Sequence, residues 1–157
     1  MTTMFKDKHV IVAMLVAPIL AVIAWFGVDQ IVAEKPQTVE AGKTYTLLAR
    51  SNCRYDSGRC DLENADVELS LLPAVSDTGL VEMTLSSSVE LQGAAMSVVE
   101  GAIEIAPTPM ANADESGTRW TTQFSLPENP EATIRVAVRT QGATLFTEVP
   151  TVFIVAD

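Results

Sequence analysis

Residues 10–28, VIVAMLVAPILAVIAWFGV, carry no charge, and from about residue 44 onward the apolar residues return at every second position instead. The two patterns predict two kinds of element. At a rise of about 1.5 Å per residue the uncharged block reaches roughly 28 Å, close to the hydrocarbon thickness of a bilayer, and a helix satisfies its main-chain groups internally. The block predicts one transmembrane helix over residues 10–32, kinked at Pro18, with Trp25 and Phe26 suited to the far interface. Glu34-Lys35-Pro36-Gln37 is polar, and Pro36 discourages further helix, so residues 33–43 read as a linker.

Beyond the linker the period is two. Val67, Leu69 and Leu71 alternate with Asp66, Glu68 and Ser70; Val81, Met83 and Leu85 alternate with Glu82, Thr84 and Ser86. The alternation recurs at Trp120, Thr122, Phe124 and Leu126, and at Ile134, Val136 and Val138, whose neighbours Arg135 and Arg139 should face water. Shorter strands are expected at 44–49, 94–99, 102–106, 143–149 and 151–155. Pro73, Asp77-Thr78-Gly79, Gln92-Gly93, Pro107, Pro109 and Gln141-Gly142 supply turns between them. About seven to nine short strands at this spacing predict a mainly β protein: an antiparallel, Ig-like β-sandwich over residues 44–157. No second helix is indicated, and residues 107–118 form the longest unpatterned loop.

Charge sets the orientation. Residues 1–9 hold Lys6, Lys8 and the amino terminus against Asp7, whereas residues 34–157 hold eighteen carboxylates against eight Lys and Arg, a net of −10. The positive-inside bias places residues 1–9 in the cytoplasm and the β-sandwich on the far side of the membrane. The same charge disfavours nucleic acid as a partner. A cleaved signal peptide is the competing reading of the N-terminus. Against it, the apolar core exceeds the usual 7–15 residues, and a junction after Ala33 would place Ile31 where a small residue is preferred.

Two cysteines, Cys53 and Cys60, enclose a segment that Asp56, Ser57 and Gly58 can turn, and a local disulfide fits an oxidising compartment. Closing so short a loop contributes roughly 2.5 kcal/mol in the chain-entropy model. A redox-active or metal-binding pair is the alternative, but the spacing is not CxxC and no further Cys or His lies nearby.

The single histidine, His9, precedes the span, so the β region has no imidazole to serve as base, shuttle or metal ligand. GxSxG, HExxH and a phosphate-binding glycine loop are missing from the sequence. Paired carboxylates remain the one general acid/base option. Asp61, Glu63, Asn64 and Asp66 could offer oxygens to Ca²⁺ but lack the ligand alternation and glycine of a calcium loop, which leaves a solvated turn as the simpler reading. Among the methionines, Met83 falls on an apolar strand phase, whereas Met110 sits in the 107–118 loop and is the candidate thioether ligand for Cu(I).

The run Lys8-His9-Val10 through AMLVAPILA, Glu34-Lys35-Pro36, and Ser51-Asn52-Cys53-Arg54-Tyr55 followed by Ser57-Gly58 and Cys60 resembles a group of small bacterial single-pass inner-membrane proteins. That resemblance implies a location, with the β domain periplasmic, and brings no activity with it. At the level of layout, an anchor followed by a β-sandwich with Gly-Thr-Arg-Trp and a Leu-Pro before IRVAV is similar to FixH-like accessory proteins of haem-copper oxidase assembly; the histidine-poor domain departs from copper-handling relatives. The expectation is a non-catalytic accessory module without a cofactor, held in the bilayer through residues 10–32. It would contact a membrane-protein partner through Arg54, Tyr55 and Arg59 on the disulfide loop. The alternative is a periplasmic copper handler using Met110.

Overall fold

The computed structural model describes the main chain of residues 8–32, 39–104 and 106–154, and the side chains of residues 12–25, 39–103 and 106–154. Expectations for residues 1–7, for 33–38 of the linker and for the tail 155–157 lie outside the described residues. The chain divides into a helical unit, Met1–Lys35, and a β unit, Pro36–Asp157.

Helix α1 (Lys8–Val32) runs for 25 residues with Pro18 inside it. Residues 12–25 are apolar at every position, and each of these side chains is exposed, Trp25 to 77%. The segment therefore buries no face within its own unit. Among the described residues, no helix is long and apolar enough to cross a membrane. Residues 12–25 alone reach about 21 Å, whereas the helical main chain of Lys8–Val32 reaches about 37 Å.

In the β unit, the strand expected at 44–49 is cut in two. Strand β1 (Thr44–Thr46) runs parallel to β12 (Ala143–Pro150), and β2 (Leu48–Ala49) pairs antiparallel with β3 (Cys60–Asn64) in the other sheet. Between them Leu47 is 1% exposed, and its N–H still reaches the Phe146 carbonyl at 2.9 Å. The chain changes sheets at one buried residue while keeping its main-chain bond, so no buried donor is stranded.

The long alternating runs become the central strands: β4 (Val67–Val75), β5 (Leu80–Ser87), β6 (Gly93–Glu100), β10 (Arg119–Ser125) and β11 (Thr133–Thr140). Short strands β7 (Ile103–Glu104), β8 (Thr108–Pro109) and β9 (Ala111–Asn112) complete two sheets. One has the order β1-β12-β11-β6-β7, with β8 also on β6; the other has the order β2-β3-β4-β5-β10-β9. All pairings are antiparallel except β1 with β12. Inward side chains of both sheets, among them Leu62, Leu71, Val81, Met83, Leu85, Ile134, Val136, Val138 and Leu145, form a single core.

Three further expectations change. The loop at 107–118 contains a second sheet crossing: β8 lies on β6, β9 lies on β10, and Met110 between them is 4% exposed with its N–H bonded to the Ala94 carbonyl at 2.9 Å. Residues 60–64 are a strand rather than a solvated turn, because Cys60 and Leu62 face the core while Asp61 and Glu63 face out. Residues 151–153 form a 3₁₀ turn (Thr151–Phe153), not a strand. There the Thr151 N–H and hydroxyl both donate to the Ala132 carbonyl, which turns the chain and buries Phe153 completely.

If Met110 plugs the crossing, Met110→Ala should cost about 2–5 kcal/mol, whereas Leu48→Ala, at a position 55% exposed, should stay within about 0.5 kcal/mol. Urea unfolding of the full chain in detergent, followed by Trp120 fluorescence in a Trp25→Phe background, checks this. Equal losses would refute the plug.

Candidate functional site

The segment from Arg50 to Asp61 leaves β2, makes a 3₁₀ turn (Ser51–Arg54) and returns as β3. Cys53 and Cys60 are disulfide-bonded and fully buried. Main-chain bonds fasten both flanks: Arg50 N–H to the Asp61 carbonyl at 2.9 Å, and Cys53 N–H to the Arg50 carbonyl at 3.1 Å. At the apex Ser57 Oγ lies 2.7 Å from the Asn52 carbonyl and 2.6 Å from that of Arg59, placed to donate to either. Gly58 takes φ +68°, a left-handed conformation that favours glycine, and its N–H donates to the Phe153 carbonyl at 3.0 Å. The loop is thereby fastened to the buried C-terminal turn.

The three predicted contact residues have different fates. Tyr55 is 65% exposed, and Arg54, also exposed, makes no ion pair among the described residues. Arg59 is committed instead: its Nε donates to Asp61 Oδ1 at 2.7 Å, and Asn52 Nδ2 donates to Asp61 Oδ2 at 2.9 Å. Burial pushes the Asp61 carboxyl up, but the bonds from Arg59 and Asn52 and the nearness of the Ser70 hydroxyl together outweigh it and hold the group below its ordinary value. Ser70 Oγ is buried and lacks a hydrogen bond of good geometry, so its part is proximity to the carboxylate.

Sequence reasoning missed Arg50. Glu63 and Glu68 stand directly opposite each other on β3 and β4, a like-charge pair that destabilises a sheet. Arg50 lies between them, its Nε 2.6 Å from Glu63 Oε2 and its outer nitrogen 3.8 Å from Glu68. The bond to Glu63 raises the pKa of Arg50. Beside this cluster is a trough of about 220 Å³ of mixed character, lined by Arg59, Asp61, Ser70 and Ser86 together with Leu62 and Leu69. The one sequence signal for Arg50 was its place just before the cysteine loop.

The metal readings lose their ligands. Met110 is core, as are Met83 and Met96 at 0% and 3% exposure, so the copper alternative has no accessible thioether on these strands. Asp61 and Glu63 are paired with arginines, and Asn64 Nδ2 donates to the Thr46 carbonyl at 2.8 Å while its Oδ1 is buried away from the surface. Among the described residues no three His, Cys, Asp or Glu side chains gather as a metal site. After β9, Asp114 accepts from the Thr118 and Arg119 N–H groups at 3.0 and 3.2 Å and from the Ser116 and Thr118 hydroxyls, which closes that turn on itself.

Two measurements follow from this geometry. Replacing both cysteines by serine should cost about 2.5 kcal/mol and speed amide exchange across residues 53–60 while leaving β11 protected. Because the folded pKa of Asp61 is depressed, its contribution to stability is present above the ordinary carboxylate range and is lost as pH falls through the lower folded value. Asp61→Asn should therefore flatten the fall in melting temperature as pH drops below about 4. An unchanged acid limb would remove Asp61 from the account.

No protein-family model and no curated protein matches the chain. Among solved structures, the crystal structure of an engineered protein is similar at a TM-score of 0.43 and 17% identity, covering 54% of this chain and 19% of that one. The chain thus spans about a fifth of that protein's length, and a likeness at this level carries no argument.

Proposed function

We propose that this chain is a membrane-anchored accessory module. Helix α1 is its single transmembrane segment, the β unit is an Ig-like β-sandwich held on the periplasmic side of a bacterial inner membrane, and the module works by contact rather than catalysis. The observation that carries the reading is the stretch 12–25, apolar at every position and exposed at every position, in a helical main chain of 25 residues. In water such a surface is unfavourable by about 25 cal/mol per Å²; in hydrocarbon it is at home. The Cys53–Cys60 disulfide fits the oxidising side of the membrane.

The contact surface of this reading is the disulfide loop, presenting Arg54 and Tyr55 from a floor braced by the Arg59–Asp61 pair. A tether raises the local concentration of a membrane-protein partner, so a modest contact suffices. A preformed loop loses little freedom on docking. The β unit has no histidine, in keeping with a role that moves no proton.

Alkaline carbonate extraction should leave the full chain in the membrane pellet. Alkaline phosphatase fused after Asp157 should be active, and green fluorescent protein at the same place dark. A soluble product beginning near residue 34, or a bright fluorescent fusion, defeats the anchor. Tyr55→Ala should leave the fold intact and weaken co-purification of the retained partner about tenfold, as expected of an aromatic anchor; undiminished co-purification removes the loop from the interface.

A further inference from the structure

The outer edge of β10 is only partly covered. Strand β9 pairs with Trp120 and Thr121 alone, whereas β5 pairs along all seven residues of β10 on the other side. The direction of each main-chain group follows from the bonds at the ends of the strand. The Thr118 carbonyl accepts from Ser87 and the Leu126 N–H donates to Gly79, so even-numbered residues bond toward β5; the Arg119 carbonyl accepts from Ala113, so odd-numbered residues bond toward β9. By that alternation the N–H and C=O groups of Gln123 and Ser125 point out of the sheet. Among the described residues no strand meets them.

This edge also lacks the devices that discourage added strands. Residues 122–125, Thr-Gln-Phe-Ser, contain neither a charge nor a proline. The edge strands β2, β7, β8 and β9 are two residues each and β1 is three, too short to template a partner. Just inside the β10 edge lies a gap of about 40 Å³ lined by Met96, Val98, Thr108, Thr122 and Phe124, with room for one small side chain. On the outer face Glu82 stands opposite Gln123, in a chain of net charge −10.

We infer that the free edge of β10 at residues 122–125 is a docking site for an extended segment of a partner protein. The segment bonds to the main chain of Gln123 and Ser125, places a small apolar side chain in the gap beside Phe124, and is flanked by basic rather than acidic residues. Main-chain pairing supplies the attraction, and the gap and the acidic surroundings choose the sequence. The inference concerns the β unit alone and holds wherever α1 resides.

Amide hydrogen exchange of the full chain in detergent micelles tests it. The probe is a short peptide of alternating Thr and Ala flanked by lysines, compared with its glutamate-flanked counterpart, each at about 1 mM, a concentration suited to weak binding. In the free chain the Gln123 and Ser125 amides should exchange quickly while Thr122 and Phe124 are protected. The lysine peptide should slow the first two about tenfold, and the glutamate peptide should act less. Gln123→Pro removes one outward donor and should abolish the effect; if that variant unfolds, Ser125→Pro reads the same edge. Gln123 and Ser125 amides already protected in the free chain, no response to either peptide, or protection that rises with chain concentration alone would overturn the inference.

Discussion

Two sheets that share one core bury their inner faces only if the open sides between them are closed, and in this chain single residues that cross from one sheet to the other do the closing. Leu47 links β1 to β2 on one side, and Met110 links β8 to β9 on the other. Each side chain is almost wholly buried, and each N–H keeps a main-chain partner in the sheet being left, Phe146 for one and Ala94 for the other. A polar residue at either position would open the core to water, and an unbonded N–H would leave a buried donor unmet. Both residues belong to the single core that the two sheets share.

The disulfide loop inherits its rigidity from the first crossing. Strand β2 delivers Arg50 beside Glu63 and Glu68, where it relieves a cross-strand repulsion, and the chain then turns through Cys53 and returns at Cys60. Of the three arginines at this loop, Arg50 and Arg59 are used inside the fold, and Arg54 is unpaired among the described residues. Counting cations along the sequence overstates the basic character of the tip. At the tip the loop exposes the Arg54 guanidinium, the Tyr55 phenol ring and the Asp56 carboxylate.

The central strands were legible because β4, β5 and β11 each place three apolar residues at every second position, and those predicted inward positions are the buried ones. What stayed hidden was local structure whose cause is distant. Strand β3 has the sequence CDLEN, whose two inward residues are too few to establish a period. Met110 sits among Pro, Ala and Asn and gives no sign of the Ala94 carbonyl that holds it. Thr151 ends its strand because Ala132 is nearby in space, and the parallel pairing of β1 needs β12, almost one hundred residues later. The candidate loop was legible from its cysteines, but the division of labour among Arg50, Arg54 and Arg59 depends on which carboxylates the sheet brings beside them.

Strand order bears on how the module can be used. In the sheet β2-β3-β4-β5-β10-β9 the disulfide loop joins β2 to β3, whereas the open part of β10 is near the opposite edge, with β4 and β5 between them. The two surfaces share no residue and no hydrogen bond, so substitutions at Tyr55 and Gln123 should combine additively. The two surfaces also select by different physics. On the proposed readings, a ring and a guanidinium on the loop would discriminate by shape and charge, whereas an open strand edge would accept any extended segment that the neighbouring gap and charges tolerate. On a strongly acidic domain, repulsion suppresses contact with other acidic surfaces and leaves short-range complementarity to choose among the rest. If the β10 edge is open as inferred, an identical edge would approach it behind the same negative field, while a basic segment would meet attraction there.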